Sequence, residues 1–130
     1  MNTKLLMTLC AITLGAAGIS LTFIPDTILS QLNIEANKSA LLLTQILGAL
    51  YFAFGMLNWM TKTSLIGGIY NRPIAVANFT HFLIAGLALL KVIISNPNSS
   101  YIIWTAAAIY FVFGLCFGVL LFRHPISEAK

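Results

Sequence analysis

The chain has 130 residues, of which 59% are hydrophobic and only 8% charged, with a formal net charge of +4 and a mean hydropathy of +0.94. Soluble domains carry roughly 25% charged residues, so this composition excludes a mostly water-exposed surface and makes lipid the natural solvent. Lipid cannot satisfy open backbone groups, and a β-barrel would show alternating segments of about 10 residues. The expected fold is therefore all-α, an integral membrane four-helix bundle formed by residues 1–130 as one domain.

Four apolar runs approach the ~20 residues that cross a hydrocarbon core, over residues 4–24, 40–61, 72–95 and 101–122. The first carries Lys4, an apolar stretch and the small residues Ala16-Ala17-Gly18, which are features of a signal peptide. We read it as a retained helix. Its residues Thr8, Ala11, Gly15, Gly18 and Thr22 recur at spacings of three and four, a small stripe expected to face the interior, because helices in lipid pack by close approach. Cys10 here and Cys116 in the fourth run are expected to be packing residues without a disulfide.

Pro25-Asp26 ends the first run. Beyond it, Ile28, Leu29 and Leu32 share a side while Asp26, Ser30 and Gln31 face elsewhere, the pattern of a short interfacial helix over residues 26–33. In the second run Thr44, Gln45, Gly48, Tyr51, Phe52, Gly55, Asn58 and Trp59 fall on one side, expected to be interior. Leu43, Leu47, Leu50, Phe54 and Leu57 fall on the other, toward lipid. Gly67-Gly68 and Asn71-Arg72-Pro73 then break the chain.

The third run opens with Asn71, Arg72, Asn78 and His81, an unusual density of polar groups for this chain. Asn71, Ile74, Asn78, His81 and Ala85 share a face, with Val76, Leu83 and Leu87 directed away from it. Asn96-Pro97-Asn98-Ser99-Ser100 forms the next turn. In the fourth run Trp104, Ala107, Phe111, Gly114 and Gly118 are expected to face inward.

If the helices alternate in direction, Lys4, Lys62, Arg72, Arg123 and Lys130 share one side and only Lys38 and Lys91 the other, which places both termini in the cytoplasm. The positive charge is then a topology signal with some attraction to anionic headgroups, and no nucleic-acid partner is implied. At 1.5 Å per residue, Asn78 lies roughly 9 Å and His81 roughly 13 Å beyond Arg72, while Asn58, Gly55 and Tyr51 lie about 6, 10 and 16 Å from Lys62. These depths match. Glycines at that level either let helices touch or leave room. If they leave room, Gln45, Tyr51, Asn58, Trp59, Asn78 and His81 line a small cavity with Arg72 at its mouth, suited to a lipophilic ligand. Otherwise Tyr51, Asn58, Asn78 and His81 bond one another across helices and set the packing register.

Several chemistries fail on inventory. Asp26, Glu35 and Glu128 are the only acids and all lie outside the runs, which leaves no intramembrane carboxylate for proton coupling or acid–base catalysis. His81 has no metal-ligating companion, since His124 belongs to the tail. No cofactor is indicated.

The segments "FIPDTILSQL" (residues 23–32), "QILGALYFAFGMLNWM" (45–60) and "NRPIAVANFTHF" (71–82), followed by a short basic tail, resemble the small four-helix bacterial membrane proteins grouped around the DoxX-like families. The resemblance covers nearly the whole chain. It rests on spacing, a proline after the first helix and a Gly-Ala-Tyr centre in the second. It implies a multi-pass protein of the bacterial cytoplasmic membrane whose role is a membrane-protein partner or a lipophilic ligand, since relatives include accessory subunits of quinone-linked oxidoreductases and membrane assembly helpers. The functional expectation is thus a non-enzymatic protein that binds a lipid or quinone-like molecule, a membrane-protein partner or further copies of itself through its inner polar layer. The alternative is a small membrane enzyme using His81 and Arg72 on a lipophilic substrate.

The basic-residue asymmetry predicts that, in intact cells, an impermeant thiol reagent labels cysteines introduced at Ser30 and Ser99 and spares those introduced at Thr63 and Ser127. The opposite sidedness would overturn the orientation.

Overall fold

The computed structural model describes residues 2–64 and 71–123 and is helical throughout, with no strand among the described residues. Five helices run as α1 (Thr3–Phe23), α2 (Pro25–Gln31), α3 (Lys38–Thr61), α4 (Arg72–Ser95) and α5 (Tyr101–Arg123). The four long ones fall within two residues of the four apolar runs. Each is long and apolar enough to cross a membrane, about 32 to 36 Å at 1.5 Å per residue against a core of about 30 Å. The Gly67-Gly68 break and the tail residues His124, Glu128 and Lys130 lie outside the described residues.

Local chemistry explains the boundaries. Asn2 and Asn37 cap α1 and α3, their Oδ1 atoms accepting from Leu5 N at 3.1 Å and Ala40 N at 2.9 Å. Pro25 cannot donate and so opens α2, where it sits in the first turn beside Asp26. The end of α2 is a Schellman motif. Asn33 takes a left-handed φ of 57°, its N–H reaches Ser30 O at 3.1 Å, and Ile34 N–H reaches Leu29 O at 2.9 Å. Leu29 is buried and Ile28 and Leu32 are half-buried, while Asp26, Ser30 and Gln31 are exposed, in keeping with the amphipathic reading of this segment. Asn71 occupies the N-cap position of α4, but its side chain makes no capping bond there.

The chain divides into two compact units, residues 1–63 and 64–130. In the first, α1 packs along α3, and α2 touches both. The α1–α3 contact is backbone against backbone. A Cβ on Gly18 would stand 2.8 Å from Gly48 O and 2.9 Å from Phe52 Cα. One on Gly48 would stand 2.8 Å from Gly18 O and from Thr22 N, and one on Gly55 would meet Gly15 N at 2.8 Å and Ala11 O at 3.0 Å. None of these atoms can swing aside, so only glycine permits the approach. Outside the contact, Leu9, Ile12, Ile19, Leu43, Leu47 and Leu50 are exposed, as a lipid-facing surface requires. Beyond the small stripe, α1 also buries Leu6, Met7, Cys10 and Leu14.

The second unit pairs α4 with α5 through aromatic rings. Phe82 is 1% exposed and stacks on Phe113 at 4.9 Å and on Phe117 at 5.9 Å, with Tyr110 edge-on at 5.1 Å. Phe79 meets Phe122 edge-on at 6.2 Å. This corrects the expected inner face of α5. Trp104 and Phe111 are largely exposed, and Tyr110, Phe113, Phe117 and Leu120 are the buried set, displaced around the helix by roughly a third of a turn. Large flat rings bury more area than small residues can, and the stack on Phe82 decides the rotation.

Gly48→Ala and Gly55→Ala should each destabilise the first unit by about 1–3 kcal/mol through overpacking. Gly15→Ala should be neutral or stabilising, because a Cβ there meets nothing within 4 Å and alanine favours helix. Thermal unfolding in mild detergent checks the ordering, and equal sensitivity at all three positions would contradict the contact.

Candidate functional site

The seven residues singled out in the sequence divide between the units. Gln45, Tyr51, Asn58 and Trp59 lie on α3, and Arg72, Asn78 and His81 lie on α4. In the first unit Gln45 is exposed, with Nε2 3.5 Å from Thr22 O, and Tyr51 is half-buried. Trp59 is also largely exposed, against the expected interior placement, and the Lys62 ammonium stands 2.9 Å over its ring centre. A cation on an indole face at a helix end is an interfacial arrangement.

Among the described residues the two asparagines are the fully buried polar ones, each 0% exposed. Asn58 Nδ2 donates to Phe54 O and Asn78 Nδ2 to Ile74 O, both at 2.9 Å. Each amide thus folds back onto the carbonyl one turn earlier in its own helix. Thr8, Thr22, Thr44, Thr61 and Thr105 hydroxyls do the same, at 2.7–2.8 Å. The cause is the solvent: an unbonded polar group in hydrocarbon costs several kcal/mol, and the preceding turn offers the nearest acceptor. Among the described residues no buried side-chain nitrogen or oxygen lacks a partner.

On α4, Arg72 is exposed in the first turn. His81, nine residues further on, is about 13.5 Å away along the axis. His81 Nε2 lies 3.2 Å from the Tyr110 hydroxyl, a bond that joins α4 to α5, and the two rings are 5.4 Å apart. Tyr110 was missed in the sequence. Its signal is Tyr110, Phe113 and Phe117 at helical spacing, a face that a reading from small residues does not pick out.

The same unit holds the larger concavity, a groove of about 470 Å³ between α4 and α5. Its lining combines the small residues Gly86, Ala107, Ala108 and Gly114 with the exposed Leu83, Leu87, Leu90, Trp104 and Phe111 and the buried Phe82, Tyr110 and Ile93. The glycines here behave differently from those of the first unit. A Cβ on Gly86 would meet Tyr110 Cβ at 3.6 Å and one on Gly114 would meet Phe82 Cβ at 3.8 Å, both ordinary contacts. Helix approach does not require glycine at either place, and their effect is to leave room. A smaller groove of about 240 Å³ runs beside Gly15, Ala16, Met56 and Trp59 in the first unit.

Cys10 and Cys116 form no disulfide and are buried and half-buried. No cluster of three histidine, cysteine or acidic residues able to hold a metal occurs among the described residues. No family model, curated protein or solved structure matches the chain.

Removing the hydroxyl in Tyr110→Phe should cost about 0.6 kcal/mol, the average for an interhelical hydrogen bond in a membrane, with an upper value near 1.7. A double-mutant cycle with His81→Leu should show coupling, the pair losing less than the sum of the single losses. Strict additivity in detergent unfolding would mean that the two side chains do not interact.

Proposed function

We propose that this is a non-enzymatic, multi-pass protein of the bacterial cytoplasmic membrane that binds a lipophilic small molecule, a lipid or a quinone-like compound. The four apolar helices fit a multi-pass integral membrane protein. The observation that carries the binding reading is the α4–α5 groove. Its volume of about 470 Å³ lies within the ~300–1,000 Å³ typical of small-molecule sites, and the two glycines in its lining, Gly86 and Gly114, are not demanded by packing. The lining is almost wholly hydrocarbon and aromatic, and it includes Tyr110, whose hydroxyl meets His81. Such a lining attracts an apolar chain. The resemblance to the DoxX-like proteins favours the same class of role.

Within this reading Asn78 and His81 act at different ranges. Asn78 is fully buried and bonds its own helix, and His81 holds the hydroxyl of Tyr110, a residue of the groove lining. Gln45, Tyr51, Asn58 and Trp59 belong to the first unit and Arg72 is exposed at the start of α4, so none of them is assigned to the groove. An enzymatic role would need Arg72 and His81 to act on one substrate, which their separation of about 13.5 Å along α4 confines to a long molecule.

Native mass spectrometry after gentle extraction should show the protein carrying one small lipophilic molecule, and Ala108→Phe, which fills the groove from an exposed position, should remove it while leaving the unfolding temperature within a few degrees. A bare parent protein, or one whose companion is a protein subunit unaffected by Ala108→Phe, would contradict the small-molecule reading.

A further inference from the structure

The groove has two unlike ends. On α4 its lining runs from Phe79 to Ile93, about 21 Å at 1.5 Å per residue, which exceeds the roughly 15 Å of half a hydrocarbon core. At the Phe79 end it stops seven residues short of Arg72. At the other it reaches Leu90, Ile93 and Trp104, at the level where α4 ends and α5 begins.

Lys91 sits at that second end. It lies one turn beyond Leu87, on the flank of the groove-lining face, and four residues from the end of α4. Its side chain is exposed and makes no hydrogen bond or ion pair among the described residues. The described part of this unit contains no aspartate or glutamate, so nothing there competes for the ammonium. A four-carbon stem that deep extends toward the headgroup level, and Trp104 across the groove carries an indole N–H at a depth where ester oxygens lie.

We propose that the α4–α5 groove holds a hydrocarbon chain of an anionic phospholipid whose phosphate lies against the Lys91 ammonium. This rests on the groove being a binding site and adds the chemistry of the occupant. The charge arrangement is what favours an anionic over a zwitterionic lipid: a lone cation beside the open end of a chain-length groove pairs with a phosphate, and a choline headgroup would bring a second cation to it.

The test reconstitutes the full chain in nanodiscs of equal phosphatidylglycerol and phosphatidylcholine and counts the lipid retained on release into native mass spectrometry. One basic residue near a membrane surface is worth about 1 kcal/mol, a preference of about five-fold for phosphatidylglycerol. Lys91→Gln should bring the ratio to about one with total retained lipid unchanged, Lys91→Arg should preserve the preference, and Ala108→Phe should lose both lipids. Equal retention of the two lipids by the parent, or an undiminished preference in Lys91→Gln, would overturn the headgroup assignment and leave the groove reading standing. Retention of neither lipid by the parent would overturn both.

Discussion

The contact on which the first unit depends is the meeting of two helix backbones at Gly18, Gly48 and Gly55. In water, helices are driven together by burying apolar faces. In lipid that force vanishes, because the tails are as apolar as leucine, and association has to come from close van der Waals contact. Removing the side chains lets α1 and α3 approach until carbonyl and amide atoms of one helix face the Cα atoms of the other, leaving less than 3 Å for any methyl group. The approach fixes the rotation of both helices, which turns the leucines of α3 outward.

The second unit solves the same problem with aromatic rings. Phe82 lies at the centre of a stack with Phe113 and Phe117, and His81 bonds Tyr110 across the pair. Beside Phe82 and Tyr110 the small residues Gly86, Ala107, Ala108 and Gly114 help to line a groove. One residue type thus has opposite consequences in the two halves of the chain. Polar groups behave alike in both units: the Thr8, Thr22, Thr44, Thr61 and Thr105 hydroxyls and the Asn58 and Asn78 amides donate to a carbonyl one turn earlier in their own helix, while Gln45 reaches Thr22 O and Tyr110 meets His81 across a helix pair.

Much of the fold was legible from hydropathy and turn chemistry, because an apolar span and a Pro or Asn break have local causes. The small stripe on α1 and the two-faced pattern of α3 were legible too, since glycine spacing directly records close approach. The rotation of α5 was not. It depends on which residues stack on Phe82, a tertiary preference that small-residue spacing cannot report, so Trp104 and Phe111 were expected inside and Tyr110 was passed over. Among the candidate site residues, Asn58 and Asn78 were correctly expected to be buried, but their bonds to Phe54 and Ile74 are intrahelical, which composition and depth matching do not distinguish from bonds between helices. Gln45, Phe52 and Trp59 read as interior from their side of the helix, yet all three remain exposed.

The opposite use of glycine in the two units is most directly tested by NMR in nanodiscs doped with lipids that carry a nitroxide on the acyl chain. A hydrocarbon chain lying in the α4–α5 groove should strongly broaden the amide signals of Gly86 and Gly114, while those of Gly48 and Gly55, covered by the facing backbone of α1, should stay sharp. Equal broadening at all four glycines, or protection of Gly86 and Gly114 with broadening of Gly48 and Gly55, would contradict it.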